Sequence, residues 1–456
     1  MLGATAARAA SGDLVYLTIR EAAGKIRRKE ISPVDLTEAC LRRIDKLNPV
    51  LNAFITITEK AALDRARKLA RESPRSPLHG IPIGLKDLLD TAGVRTTAGS
   101  RHWHDRVPAA DADVVRRLET AGAIIAGKCN MDEFAYNFTS ETSAFGAARN
   151  PWDQTRSPGG SSGGSAIAAA TGMCFAALGS DTGGSIRLPA ALCGITGLKP
   201  SFGLVSTDGA APLAWSLDHV GPMCRSAEDA RILLGIMAAR PQSLAPRPVK
   251  PLRLGVPRAV FYDDLDAEVA QAVAQAIETL SALTAGVKEV RLPELEPSPE
   301  MKMFPLAYSH LITAEAYAFH EEMFKSQPKL YHAGTRRSIG SGAAVPASAY
   351  IRARRRMERL RAESAGLFRE ADLLITPTAP GPAFELGKPA SLVFLRNCAP
   401  WNLYGLPSIS IPCGFSKQGL PLGLQITGDT GRDDLVLALA EAYQGVTDWH
   451  TRRPPV

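Results

Sequence analysis

Two serine-bearing glycine loops and one lysine carry the residues that could do chemistry together. The first loop is Gly159-Gly160-Ser161-Ser162-Gly163-Gly164-Ser165 and the second is Asp181-Thr182-Gly183-Gly184-Ser185. Glycine doublets let a backbone approach a ligand closely and expose N–H groups without a side chain in the way. Lys86 sits in Gly80-Ile81-Pro82-Ile83-Gly84-Leu85-Lys86-Asp87, an apolar run that reads as a buried strand edge. A lysine is seldom fully buried without a partner, and desolvation lowers its pKa. Either Lys86 snorkels and pairs with Asp87 or Asp90, or it is kept neutral and can act as a base.

Three chemistries compete for the serine loops. A phosphate cradle requires a Lys-Ser/Thr doublet at the end of the loop, and Ser165-Ala166 stands there instead. Gly159-x-Ser161-x-Gly163 matches a nucleophile elbow, which would make the chain a Ser-His-Asp α/β-hydrolase esterase. His219 and His310 are available for that triad, but no Asp-then-His order is evident at strand ends. In the third reading Ser185 attacks a carbonyl and a neutral Lys86 takes its proton through Ser161. A serine hydroxyl is a poor nucleophile until a base removes its proton. The N–H groups of Thr182, Gly183, Gly184 and Ser185 would then form an oxyanion hole, each donor typically worth ~2.7–4 kcal/mol.

The elements that must position these residues alternate. Ser32-Pro33-Val34-Asp35 starts a helix that Asn48-Pro49 ends. Ala61 to Arg71 is a second amphipathic helix whose basic residues read as a solvated face. Asp111 to Ala121 (helix) and Ala123 to Lys128 (strand) give a β-α-β rhythm. Ala166 to Thr171, made of small apolar residues, predicts a short helix buried on all sides. Leu192 to Lys199 and Ser201 to Ser206 read as turn-rich sheet, and the proline-rich 241–251 as a linker or long surface loop. Leu252 to Val256, Asp266 to Leu283 and Val287 to Leu292 form another β-α-β unit. Met301 to Leu367 is helical, with an arginine-rich exposed face. Leu373 to Thr376, Pro407 to Pro412 and Leu422 to Ile426 predict strands, and Asp434 to Tyr443 a closing helix. The pattern predicts one α/β domain over 1–456 with a helical insertion. Its parts are a helical region (1–60), a catalytic core (61–240), a β-α-β unit with a lid or insertion (252–370) and the rest of the core (371–456).

The bulk properties narrow the class. Of the 456 residues, 45% are apolar and 22% charged, ordinary values for a globular chain with a sizeable core. The net charge of +7 is scattered, which argues against nucleic acid as a partner. Seven cysteines without a C-x-x-C pair read as buried free thiols, and the N-terminus has no apolar signal region. A cytoplasmic location without membrane contact is expected.

The order G-I-P-I-G-L-K-D, G-G-S-S-G-G-S, G-S-D-T-G-G-S-I-R-L-P-A, P-T-A-P, G-L-P-S-I-S-I-P-C-G-F and G-L-P-L-G-L-Q-I-T-G resembles the amidase signature family of serine hydrolases over essentially the whole chain. The resemblance implies a large mixed β-sheet covered by helices on both faces, and neither metal nor organic cofactor. It also implies Lys86 as base, Ser161 as relay after a cis Gly160-Ser161 bond, and Ser185 as nucleophile. Ser162 and Asp181 would hold the loops by hydrogen bonds, and Arg187 would anchor structure. The A subunit of the tRNA-dependent amidotransferase, one branch of the family, resembles the chain around Met131 to Ala135 and Ser140 to Ser143. That branch binds glutamine with an arginine and an aspartate. Counting along the motifs puts Met357 and Leu395 at those positions, with Arg355 or Arg356 as potential substitutes. Tyr136, Asn137, Phe138 and Trp215, with Met357 and Leu395, are then expected to line a pocket for an uncharged acyl or leaving group; ordinary core packing is the competing reading of the first four. The expected activity is hydrolysis of aryl or alkyl acylamides, and also carbamates (urethanes) and esters, by a stand-alone monomer or homodimer. A catalytically silent scaffold and the glutamine-hydrolysing branch are the alternatives.

Overall fold

The structure is a computed structural model that describes residues 14–240, 243–292 and 306–456. Among these residues eleven strands form one sheet: β1 (Phe54–Ile57), β2 (Pro82–Lys86), β3 (Ile124–Cys129), β4 (Ala176–Asp181), β5 (Thr196–Lys199), β6 (His219–Cys224), β7 (Arg253–Val256), β8 (Gly286–Glu289), β9 (Leu373–Pro377), β10 (Ser408–Phe415) and β11 (Pro421–Gly428). Their order is β1-β3-β2-β4-β6-β5-β10-β11-β9-β7-β8. β2 pairs in parallel with both β3 and β4, whereas β6, β5, β10, β11 and β9 follow in antiparallel pairs. The sheet is therefore mixed, as the resemblance implies.

The parallel trio explains where a site can form. Every residue of β2, β3 and β4 is buried, as expected for parallel strands covered on both faces. Helices Gly163–Ala170 and Arg187–Cys193 pack on each other and on the sheet, and helices Ala227–Met237, Ala267–Leu283 and Asp433–Gln444 form a second packed group. Ligand sites of open α/β sheets lie outside the carboxyl ends of the strands. Lys86 ends β2, Ser180 and Asp181 end β4, and Asn130 to Asp132 leave β3 at the same end.

Several boundaries differ from the sequence expectation for identifiable reasons. The helix started by Ser32 is Pro33–Leu51, with the predicted cap: Ser32 Oγ accepts from Asp35 N and Asp35 Oδ2 from Ser32 N. Pro49 does not end it but lies in its last turn, and Asn52, in the left-handed region at φ 51°, closes it. The buried helix begins at Gly163 rather than Ala166. A Cβ on Gly164 would stand 2.4 Å from Asn130 O and 2.5 Å from Ala53 O, so close tertiary approach overrides the low helix propensity of glycine. The predicted sheet over Leu192 to Lys199 is the end of helix Arg187–Cys193, then Gly194 in the left-handed region, then β5; Ser201 to Ser206 forms no strand. Strands β1 and β6 and helix Ala227–Met237 have no counterpart in the sequence expectation. Of the expected helical insertion, the described part comprises Leu306–Ser326, Ala333–Ser341 and Ala347–Glu363, packed on one another. Met301 to Pro305, Pro241 and the N-terminal Met1 to Asp13 lie outside the described residues.

Candidate active site

Lys86 is fully buried, and its Nζ lies 2.7 Å from Ser161 Oγ and 2.8 Å from Ser180 Oγ. Neither Asp87 nor Asp90 pairs with it, which removes the snorkelling reading. Asp87 accepts from Thr97 N and faces the ammonium of Lys128, while Asp90 forms a bidentate pair with Arg106 at 2.6 and 2.7 Å. Burial pushes the Lys86 amine down to about 7, and the carboxylates of Asp132, Asp181 and Asp218 hold it from falling further. The lysine is thus poised to exist as a free amine near neutral pH.

Ser161 is carried by a cis Gly160-Ser161 bond, as the resemblance implies, and its carbonyl accepts from Asp132 N at 3.2 Å. Asp132 in turn accepts from Ser140 N, Glu141 N and the Thr142 hydroxyl, which folds the 132–142 loop over Gly160. A Cβ on Gly160 would stand 2.2 Å from Asp132 Oδ2, so only glycine fits there. Ser162 links the two loops by hydrogen bonds. Its N–H donates to Ser185 O at 3.3 Å, and its Oγ donates to Ser180 O at 3.2 Å.

Asp181 and Arg187 organise the second loop from beneath. Arg187 gives two bonds to Asp181 (3.0 and 2.9 Å) and one each to Cys398 O, Gln425 Oε1 and Asn402 Oδ1. All five guanidinium donors are therefore satisfied, at zero exposure. Burial alone would raise the Asp181 carboxyl, but the adjacent guanidinium outweighs it and holds the group below the ordinary carboxylate range. Asp181 Oδ1 also accepts from Gly184 N at 2.7 Å. This corrects the expected oxyanion hole, because the Gly184 donor is already committed. Thr182, Gly183 and Ser185 retain N–H groups without an acceptor among the described residues, and Ser185 Oγ, in a residue 8% exposed, is likewise unbonded.

Of the expected pocket residues, Trp215 lines a cavity beside the second loop together with Leu88, Ala135, Thr182, Leu213 and Asp218. Trp215 is 47% exposed. Leu395 packs against the loop, its Cδ2 3.5 Å from where a Cβ on Gly184 would be. The others do not line that cavity. Phe138 packs with Leu188 and Leu192, Met357 is buried with Leu217, Tyr308 and Trp401, and Tyr136 lies half-buried against the main core. Asn137 accepts from Phe138 N, a local turn contact. Arg355 is exposed and Arg356 half-buried.

Neither histidine of the elbow reading bonds a serine among the described residues. His219 is buried, with Nδ1 2.7 Å from Leu217 O and Nε2 3.2 Å from the Lys199 amine, and burial together with that lysine holds its pKa well below the ordinary value. His310 lies half-buried on the helix Leu306–Ser326. Two residues absent from the sequence expectation are prominent here. Ser180 is the second partner of Lys86, and its signal was no more than one hydroxyl before Asp181 in an apolar strand. Tyr308 donates to Thr182 O at 3.3 Å and covers Gly183.

A buried lysine thus bonds a serine beside a second serine on a glycine loop that presents uncommitted N–H groups. The chain belongs to the Amidase family, whose model matches residues 35–437. It is 41% identical over 478 residues to the A subunit of glutamyl-tRNA(Gln) amidotransferase from Methylococcus capsulatus, covering 96% of this chain and 98% of that protein. Among solved structures it superposes on an amidase with a TM-score of 0.87 at 36% identity, covering 94% and 99% of the two chains. A peptide amidase bound to the competitive inhibitor chymostatin gives a TM-score of 0.82 at 30% identity, covering 96% and 99%.

Proposed function

We propose that the protein is a serine amidohydrolase that cleaves the C–N bond of uncharged amides, with carbamates and esters as further substrates. The observation that carries this reading is the 2.7 Å bond between the buried Lys86 amine and Ser161 Oγ. Ser185 Oγ adds to the substrate carbonyl as its proton passes to Ser161 and that of Ser161 to Lys86. The N–H groups of Thr182, Gly183 and Ser185 receive the developing oxyanion. The C–N bond then breaks, and the proton returns from the Lys86 ammonium through Ser161 to the leaving amine, which departs neutral. Water adds to the acyl-enzyme by the same path and releases the acid and free Ser185. Apolar Leu395 against the loop and Trp215 at the cavity favour an uncharged aryl or alkyl substrate.

The second reading, a glutamine-hydrolysing A subunit of a tRNA-dependent amidotransferase, draws on the 41% identity across the whole chain. Buried Met357 and half-buried Leu395 speak against it, since the α-carboxylate and α-amine of glutamine need charged partners. A substrate panel of anilide, carbamate, ester and glutamine, with the purified chain alone, separates the two. Turnover of the first three without glutamine supports the stand-alone hydrolase. Glutamine hydrolysis that rises on adding the other amidotransferase components supports the alternative.

A further inference from the structure

A neutral amine has two N–H donors and one lone pair, yet Lys86 is within bonding distance of two hydroxyls, Ser161 and Ser180. Only one orientation is productive, with the lone pair on the Ser161 hydrogen and an N–H on Ser180. The reverse orientation would donate to Ser161 and leave its proton in place. The surroundings break this symmetry. Ser161 is at 0% exposure, and among the described residues Lys86 is the one bonded partner of its hydroxyl, so its hydrogen has no other acceptor there. Ser180 is 6% exposed and lines the cavity shared with Thr182 and Asp218, so its hydrogen has an outlet toward that space. The register of the sheet builds this arrangement, because β2 and β4 run in parallel with Leu85 opposite Leu178, bringing the ends of both strands together.

We propose that Ser180 is a positioning residue: its Oγ accepts a Lys86 N–H and thereby turns the lysine lone pair onto Ser161. The inference rests on Lys86 being the base of the proposed hydrolysis. It places the control of the base on the cavity side of the site. A group in the cavity that accepts the Ser180 hydrogen makes Ser180 Oγ a better acceptor for the amine, and so couples cavity occupancy to the base.

The test compares S180T with S180V, side chains of nearly equal size that differ in the hydroxyl; both are β-branched and suit a strand. The readout is the rate at which a fluorophosphonate labels Ser185, a step in which the Ser185 oxygen bonds phosphorus, fluoride leaves, and the proton passes to Ser161 and Lys86. The expected result is labelling of S180T within about three-fold of the natural protein and of S180V at least about ten-fold slower. The S180V midpoint should also move about one pH unit to the acid side, because the lost acceptor favoured the ammonium form. Asp132, Asp181 and Asp218, which also face the lysine, are unchanged in both variants. Equal labelling rates and equal midpoints in the two variants would overturn the role of Ser180. A natural protein that is not labelled at Ser185, or a K86A variant labelled as fast as the natural protein, would instead sink the base itself.

Discussion

Replacing Arg187 with methionine should destabilise the protein more than almost any other single change, and in a pH-dependent way. The substitution keeps an unbranched stem but removes five donors at once. It leaves Asp181, Gln425 Oε1, Asn402 Oδ1 and Cys398 O without them, all fully buried. Breaking a buried ion pair from one side costs about 3–5 kcal/mol, chiefly because the remaining charge is stranded. In the natural protein the Asp181 carboxyl is held below its unfolded value, so its stabilisation is present above the ordinary carboxylate range and is lost only as pH falls through the depressed value. In R187M the stranded carboxyl is instead raised above its unfolded value, so the native state binds the extra proton and stability falls as pH rises. The deficit should therefore be larger at about pH 8 than at about pH 5. Adding D181N should return about 1 kcal/mol or more, since it removes the stranded charge while keeping an oxygen to accept from Gly184 N. Urea midpoints at unchanged slope measure the natural protein and both variants. A loss below about 1 kcal/mol for R187M, or a deficit that does not change with pH, would refute the claim that this pair holds the loop.

Three further outcomes are expected. S185A should abolish turnover of any accepted amide while leaving the far-ultraviolet circular dichroism unchanged. K86A should slow kcat/KM by roughly 10²- to 10⁴-fold while the far-ultraviolet circular dichroism stays that of the folded protein. Gly183 has no unusual φ, but a Cβ there would stand 2.0 Å from the Tyr308 hydroxyl. G183A should therefore cost about 1–3 kcal/mol and much of the activity, and Y308F, whose nearest atom would lie at the 3.1 Å of the present Cζ, should restore part of both.

Much of this arrangement was legible in the residues because glycine doublets beside serines are informative on both counts, backbone and chemistry. Lys86, Ser161, Ser162, Asp181 and Arg187 stand out as polar groups in an apolar stretch, and the structure brings them together within hydrogen-bond reach of one another or of a shared partner. What escaped was whatever depends on tertiary register. Ser180 matters only because β4 lies in parallel beside β2, and Gly184 loses its donor only because the Asp181 carboxylate folds back under the loop. Pro49 and the Gly163-Gly164 start show local propensity yielding to packing. Phe138 and Met357 carry no sequence signal separating a pocket wall from a core, and both fill the core.

The pH dependence of Ser185 labelling by a fluorophosphonate probes the Lys86 amine most directly. The rate in the natural protein should rise with pH through a single midpoint near the 7 to which burial pushes that amine, and K86A should lose both the rate and the midpoint. A rate that is flat across neutral pH, or one that keeps its midpoint in K86A, would contradict the lysine as the base.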